Sequence, residues 1–167
     1  MRVAALLCLA LPLLPSGAQA KAPLRDVLGI APGMPEEEAH RRLERFGRRS
    51  SGGEEAREAE EREGPEIWIL DHPRFTYVVM TVDREKRVEY VQGYLRKDRR
   101  PLRYRDIGDL RCAKQIGSYI YVWSVPARGE RVALQVQARG VDPRFPGSYL
   151  VTAAALGGER KPAEELR

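Results

Sequence analysis

FTYVVMTVDREKRVEYVQGYL, residues 75–95, is the stretch that decides the fold. Two runs rich in Val, Tyr and Thr flank Asp83, Arg84, Glu85 and Lys86, and such residues favour a pleated, half-buried surface. A four-residue charged interruption between them is a turn, so the stretch is a β-hairpin. Thr76, Val78 and Met80 alternate with Tyr77, Val79 and Thr81, which leaves the first strand apolar on both faces. The second strand places Val88, Tyr90 and Tyr94 on one side and Arg87, Glu89 and Gly93 on the other.

Upstream, Glu66-Ile67-Trp68-Ile69-Leu70 forms another short strand, joined to the hairpin by a turn at Asp71-His72-Pro73-Arg74. Further back, Pro35 suits the first position of a helix, Glu36, Glu37 and Glu38 suit its positive end, and Gly47 suits its stop. Ala39, Leu43 and Phe46 fall on one face of that helix, while His40, Arg41, Arg42, Glu44 and Arg45 point to solvent. Residues 48–64 contain no large apolar side chain and read as a polar insert. Together, residues 27–95 make one helix followed by three antiparallel strands.

The second half repeats this order. After the basic connector 96–105, Asp106 caps a helix carrying Leu110, Cys112, Ala113 and Ile116, which Gly117 ends. Strands follow at 119–125, 131–139 and 149–156. The expected fold is therefore α+β: two helix-plus-three-strand units, 27–95 and 106–156, with helices packed on an antiparallel sheet in a single domain, 21–156. Residues 157–167 form a polar tail.

Residues 1–20 carry one basic residue, Arg2, an apolar run from Val3 to Leu14, and Ala18-Gln19-Ala20. This is the pattern of a cleaved secretory signal peptide, and its apolar run is too short to span a bilayer. Removing 20 of the 167 residues leaves 147, the size of one domain. The remainder holds 28 basic and 24 acidic side chains, a net of +4, and a single thiol, Cys112, which either bridges to a second chain or is buried and inert, the reading its apolar neighbours favour. Charge is uneven: residues 35–66 hold eleven acids and seven bases, whereas 83–144 hold fifteen bases and eight acids.

Gly33-Met34-Pro35-Glu36-Glu37-Glu38-Ala39, with Trp68, Thr81-Val82-Asp83 and Arg87-Val88, resembles the pattern of the SmpA/OmlA (BamE-like) envelope domain, over about residues 27–95. That resemblance implies a fold like the repeating half of β-lactamase inhibitory protein, with helices on an antiparallel sheet. It also implies a binding or assembly role in the bacterial envelope.

The residues themselves offer little chemistry. Nucleophilic catalysis needs a Ser or Cys beside a base. The two histidines, His40 and His72, lie on a charged helix face and in a turn, and no Gly-x-Ser-x-Gly is present. His40, Asp71, His72 and Cys112 lack metal-ligand spacing. No Gly-rich phosphate loop occurs, so neither enzyme activity, a metal nor a cofactor is expected. Paired carboxylates need only geometry to act, which keeps a small exported hydrolase as one alternative. The Arg-rich connector with Tyr94, Tyr104 and Tyr119 has nucleic-acid-binding composition, but export argues against that partner.

The expected activity is protein binding by a monomer in the periplasm or outside the cell. Its candidate surface comprises Tyr77, Tyr90, Tyr94, Arg96, Arg99, Arg100 and Arg103, and its partner is another envelope protein. Tyr121, Trp68 and Trp123 have suitable chemistry too, with core positions favoured for both tryptophans. The basic connector, including Lys97 and Arg105, provides a second alternative, weak contact with an anionic membrane surface or lipopolysaccharide.

Overall fold

The computed structural model describes residues 20–50, 64–98, 101–127 and 133–154. Most of the expected signal peptide, the polar insert from 51 to 63, Arg99 and Arg100, residues 131 and 132 of one expected strand, and the polar tail lie outside the described residues.

Helix α1 (Glu36–Glu44) is followed by strands β1 (Gly47–Arg49), β2 (Glu66–Leu70), β3 (Phe75–Val82) and β4 (Val88–Leu95). A one-turn helix α2 (Tyr104–Ile107) and a 3-10 turn (Leu110–Cys112) lead into β5 (Lys114–Gly117), β6 (Ile120–Val125), β7 (Leu134–Arg139) and β8 (Ser148–Ala153). Among the described residues, these eight strands form one antiparallel sheet in the order β1-β2-β3-β4-β8-β7-β6-β5. Each half of the chain is thus a four-strand meander, and the two meet where β4 pairs with β8.

This corrects the expected architecture of two helix-plus-three-strand units with helices packed on a sheet. The sheet dominates, and α1 is the one helix of more than a single turn among the described residues. The helix expected from Asp106 stops at Ile107 because Gly108 lies extended beneath the indole of Trp123, where a Cβ would come within 2.8 Å of the ring. The Asp109 carboxylate then accepts from the Arg111 amide and turns the chain. Leu110 and Ile116, assigned to an apolar helix face, are 40% and 53% exposed. Lys114–Gly117 pairs with β6 instead, through a tight turn in which Tyr119 has φ 60°.

Cys112 is consequently exposed, and not buried as its apolar neighbours suggested. Gly47 is also a strand residue, not merely a helix stop. It lies so close to β2 that a Cβ would collide with the Ile69 carbonyl oxygen.

The core lies on one face of the sheet. Ala39 and Leu43 of α1, Val27 and Ile30 of the preceding segment, and Tyr104 and Ile107 of α2 join inward residues from all the longer strands. The start of α1 is stitched directly to the hairpin: the Gly33 amide donates to Val88 O at 2.8 Å, and the Val88 amide donates to Met34 O at 2.8 Å. Gly33, at φ +87°, supplies the left-handed backbone this junction requires. Trp68 and Trp123 are both core, 4% and 1% exposed.

Candidate functional site

Strand pairing divides the side chains between the covered face and its opposite. Trp68 of β2, Val78 and Met80 of β3, Val91 and Gly93 of β4, and Tyr149 and Val151 of β8 point to the core. The residues between them form the opposite face. One row across that face runs Ile69, Tyr77, Tyr94 and Ser148, and the next runs Ile67, Val79, Gln92 and Leu150. Both helices contribute to the core of the covered face, so among the described residues no helix packs over these rows.

The expected surface tyrosines Tyr77, Tyr90 and Tyr94 all lie on this uncovered face. Tyr77 and Tyr94 stack with ring centroids 4.1 Å apart and planes 18° apart, a cross-strand aromatic pair. Burial, followed by the neighbouring Tyr94 phenol, raises the pKa of both Tyr77 and Tyr90. The sequence grouping of Val88 with Tyr90 and Tyr94 is broken by an irregularity near Thr81 and Val82, where Thr81 pairs with Tyr90 but Val82 with Val88. Val88 therefore turns to the core, 2% exposed. Gly93 faces the core as well, because the Phe75 ring and Val27 occupy the space a side chain would need.

Two residues absent from the expected site complete this surface. Ile67 and Ile69 are 44% and 49% exposed, in line with Val79 and Tyr77. Their run, Glu66 to Leu70, has no polar–apolar alternation after Glu66, so its outward face carries no sequence signature.

The arginines separate. Arg96 is a structural clamp: its Nε donates to His72 O at 3.0 Å and Phe75 O at 3.2 Å, and Nη2 donates to Leu70 O at 3.5 Å. It holds the β2–β3 turn. Arg103 precedes α2, with its guanidinium carbon 5.8 Å from the Phe145 ring centroid. Arg99 and Arg100 lie outside the described residues.

A second cluster, also missed, sits on the covered face beneath α1. Expected at solvent, His40 instead rests against Trp68, with ring centroids 5.3 Å apart, and its Nε2 is 2.8 Å from Glu66 Oε2. Trp68 Nε1 donates to that same oxygen at 3.2 Å, and Arg49 Nη2 is 3.4 Å from Oε1. Glu36 Oε1 lies 3.9 Å from His40 Nε2, while its Oε2 faces Lys86 at 3.5 Å. The Glu36–His40 spacing of four residues was visible in the sequence; the arrival of Glu66 was not.

Glu36, His40 and Glu66 have ligand atoms within 4.8 Å of one another, the spacing of a metal-donor set. Glu66 already accepts from the Trp68 indole N–H and faces Arg49 at 3.4 Å, and Glu36 faces Lys86 at 3.5 Å, so two cationic side chains already balance the two carboxylates. The arrangement is charge-balanced and ties α1 to β2.

Neither histidine hydrogen-bonds a hydroxyl or thiol among the described residues. His72 Nδ1 accepts from the Arg74 amide at 3.2 Å, and burial, then Arg74 and Arg96, depress its pKa. No helix among the described residues is long and apolar enough to cross a membrane. Comparison of the chain with protein-family profiles, with curated proteins and with solved structures returned no match.

Proposed function

We propose that the protein is an exported, non-catalytic binding module of the bacterial envelope, monomeric on its own, which docks another envelope protein on the uncovered face of its sheet. The observation carrying this reading is the continuous patch in which exposed Ile67 and Ile69 adjoin the stacked Tyr77 and Tyr94. Contiguous exposed apolar surface favours an interaction role, and tyrosine supplies much of the energy at protein interfaces. Residues on four paired strands keep the patch rigid, so little ordering cost accompanies binding.

Export rests on the leader-like residues 1–20, and the envelope setting on the SmpA/OmlA resemblance of residues 33–39 and the hairpin. Tyr90 and Tyr94 are the positions for a photo-crosslinking side chain. In an envelope extract, one protein should be captured in near-equal amount, and Ile69→Asp should abolish its capture while leaving the fold intact by circular dichroism. Background-level capture, or capture undiminished by Ile69→Asp, would exclude the uncovered face as the docking surface.

A further inference from the structure

A separate cleft of about 420 Å³ opens between the start of α2, the 3-10 turn and the loop joining β7 to β8. Its walls include Leu110, Pro143 and Phe145, and its rim carries Arg103, Arg105 and Arg144. The guanidinium carbons of Arg103 and Arg144 lie 5.8 and 5.4 Å from the centroid of the Phe145 ring. Three arginines thus line an apolar slot, two of them with the guanidinium beside the Phe145 ring.

The nearby acids are held mainly by backbone amides and by Arg111, which lies outside the cleft lining. Asp142 Oδ1 accepts from the backbone amides of Arg144 at 2.7 Å and Phe145 at 3.2 Å, which shapes the loop. Its pair with Arg144 Nε is long, at 3.9 Å. Asp106 Oδ2 accepts from the Arg103 amide at 2.8 Å, and Asp109 is engaged by Arg111 at 2.7 Å. Among the described residues, no carboxylate lies within ion-pair distance of the Arg103 or Arg105 guanidinium. The cleft lining therefore combines apolar walls with three arginines and no carboxylate, Asp142 standing beside Arg144.

We infer that this cleft binds a small organic anion with one phosphate, sulfate or carboxylate group on a flat apolar body. The anionic head would meet the forked N–H groups of Arg103, Arg105 and Arg144, which suit planar oxyanions. The body would enter between Leu110, Pro143 and Phe145. Apolar walls with a few convergent polar groups are the usual make-up of a small-molecule site. This inference is independent of the protein-docking face, whose rows contain none of these residues.

The test uses purified protein and three probes: 1-naphthyl phosphate, neutral 1-naphthol and inorganic phosphate. Isothermal titration at low salt should show 1-naphthyl phosphate binding at least about tenfold more tightly than either fragment, since charge-assisted hydrogen bonds and apolar burial act together. Backbone amide shifts should centre on Arg105, Leu110 and Phe145. Arg103→Gln and Arg144→Gln should each weaken that binding about tenfold, whereas Arg48→Gln on β1 should leave it unchanged.

Leu110→Asp provides a second variant, aimed at the apolar wall, and should remove the advantage over inorganic phosphate. Equal affinity for 1-naphthol and 1-naphthyl phosphate would overturn the inference. So would equal affinity for inorganic phosphate, indifference to both Arg substitutions, or shifts centred on Ile67 and Ile69.

Discussion

Gly93→Ala adds one methyl group where the covered face is most tightly closed. Gly93 pairs with Val78 in the middle of the hairpin, and a Cβ there would lie 2.5 Å from Phe75 Cε1, 2.8 Å from Cδ1 and 2.9 Å from Val27 Cγ1. Carbon atoms prefer about 3.5–4.0 Å, so the overlap is roughly 1 Å. The Phe75 ring is 3% exposed, with the His72 and Tyr149 rings at centroid distances of 5.3 and 6.0 Å. It has little room to retreat.

Overpacking of this kind costs about 1–3 kcal/mol, offset by about 0.4–1 kcal/mol from restricting the unfolded chain. A net loss of about 1–2 kcal/mol should therefore appear in urea unfolding, as a lower midpoint with an unchanged slope. In thermal melts the same loss corresponds to roughly 2–8 °C. Phe75→Leu should make room for the methyl, so Gly93→Ala added to Phe75→Leu should be neutral or stabilising. The double-mutant cycle isolates that coupling. A neutral Gly93→Ala in the wild-type background, or an equal cost in both backgrounds, would refute the packing assigned to Phe75 and Val27.

Two further expectations follow from the covered face. Glu66→Ala removes the shared acceptor of His40 and Trp68 and should cost about 1–3 kcal/mol in urea unfolding, because a largely buried indole N–H loses its partner; a change below about 0.5 kcal/mol would mean that the cluster does not hold α1. Alkaline stability should fall from pH 10 upward. Burial, followed by Tyr121, raises the Tyr104 pKa to about 12 from the ordinary 10.0, and Tyr149 is raised too. The unfolded phenols lose their protons first, so the contribution is complete below pH 10 and lost as pH climbs through 12. Tyr104→Phe should flatten that decline, and an unaltered slope would show that the phenol titrates alike in both states.

Local chemistry alone determined a good part of this protein. Val, Tyr and Thr on either side of Asp83–Lys86 are sufficient to form β3, its turn and β4, and Pro35 with three glutamates is sufficient to start α1. These signals act over a few residues, so they read directly from the chain. Tyr77, Tyr90 and Tyr94 were surface candidates by residue type alone, and strand pairing is what sets them on the face opposite the core. Their separation from Val88 did not follow, because one irregular pairing near Thr81 redirects the side chains beyond it.

The tertiary structure decided what longer-range pairing controls. Leu110, Cys112 and Ile116 have the composition of a short helix, but pairing with β6, and an extended Gly108 packed close under Trp123, make that stretch a 3-10 turn and an edge strand. His40 and Glu66 meet across 26 residues, and Arg103 meets Phe145 from the far side of three strands that intervene in sequence. No local pattern encodes those distances. They arise because two meanders join through β4 and β8, and because the described helices both pack on the same face of the sheet.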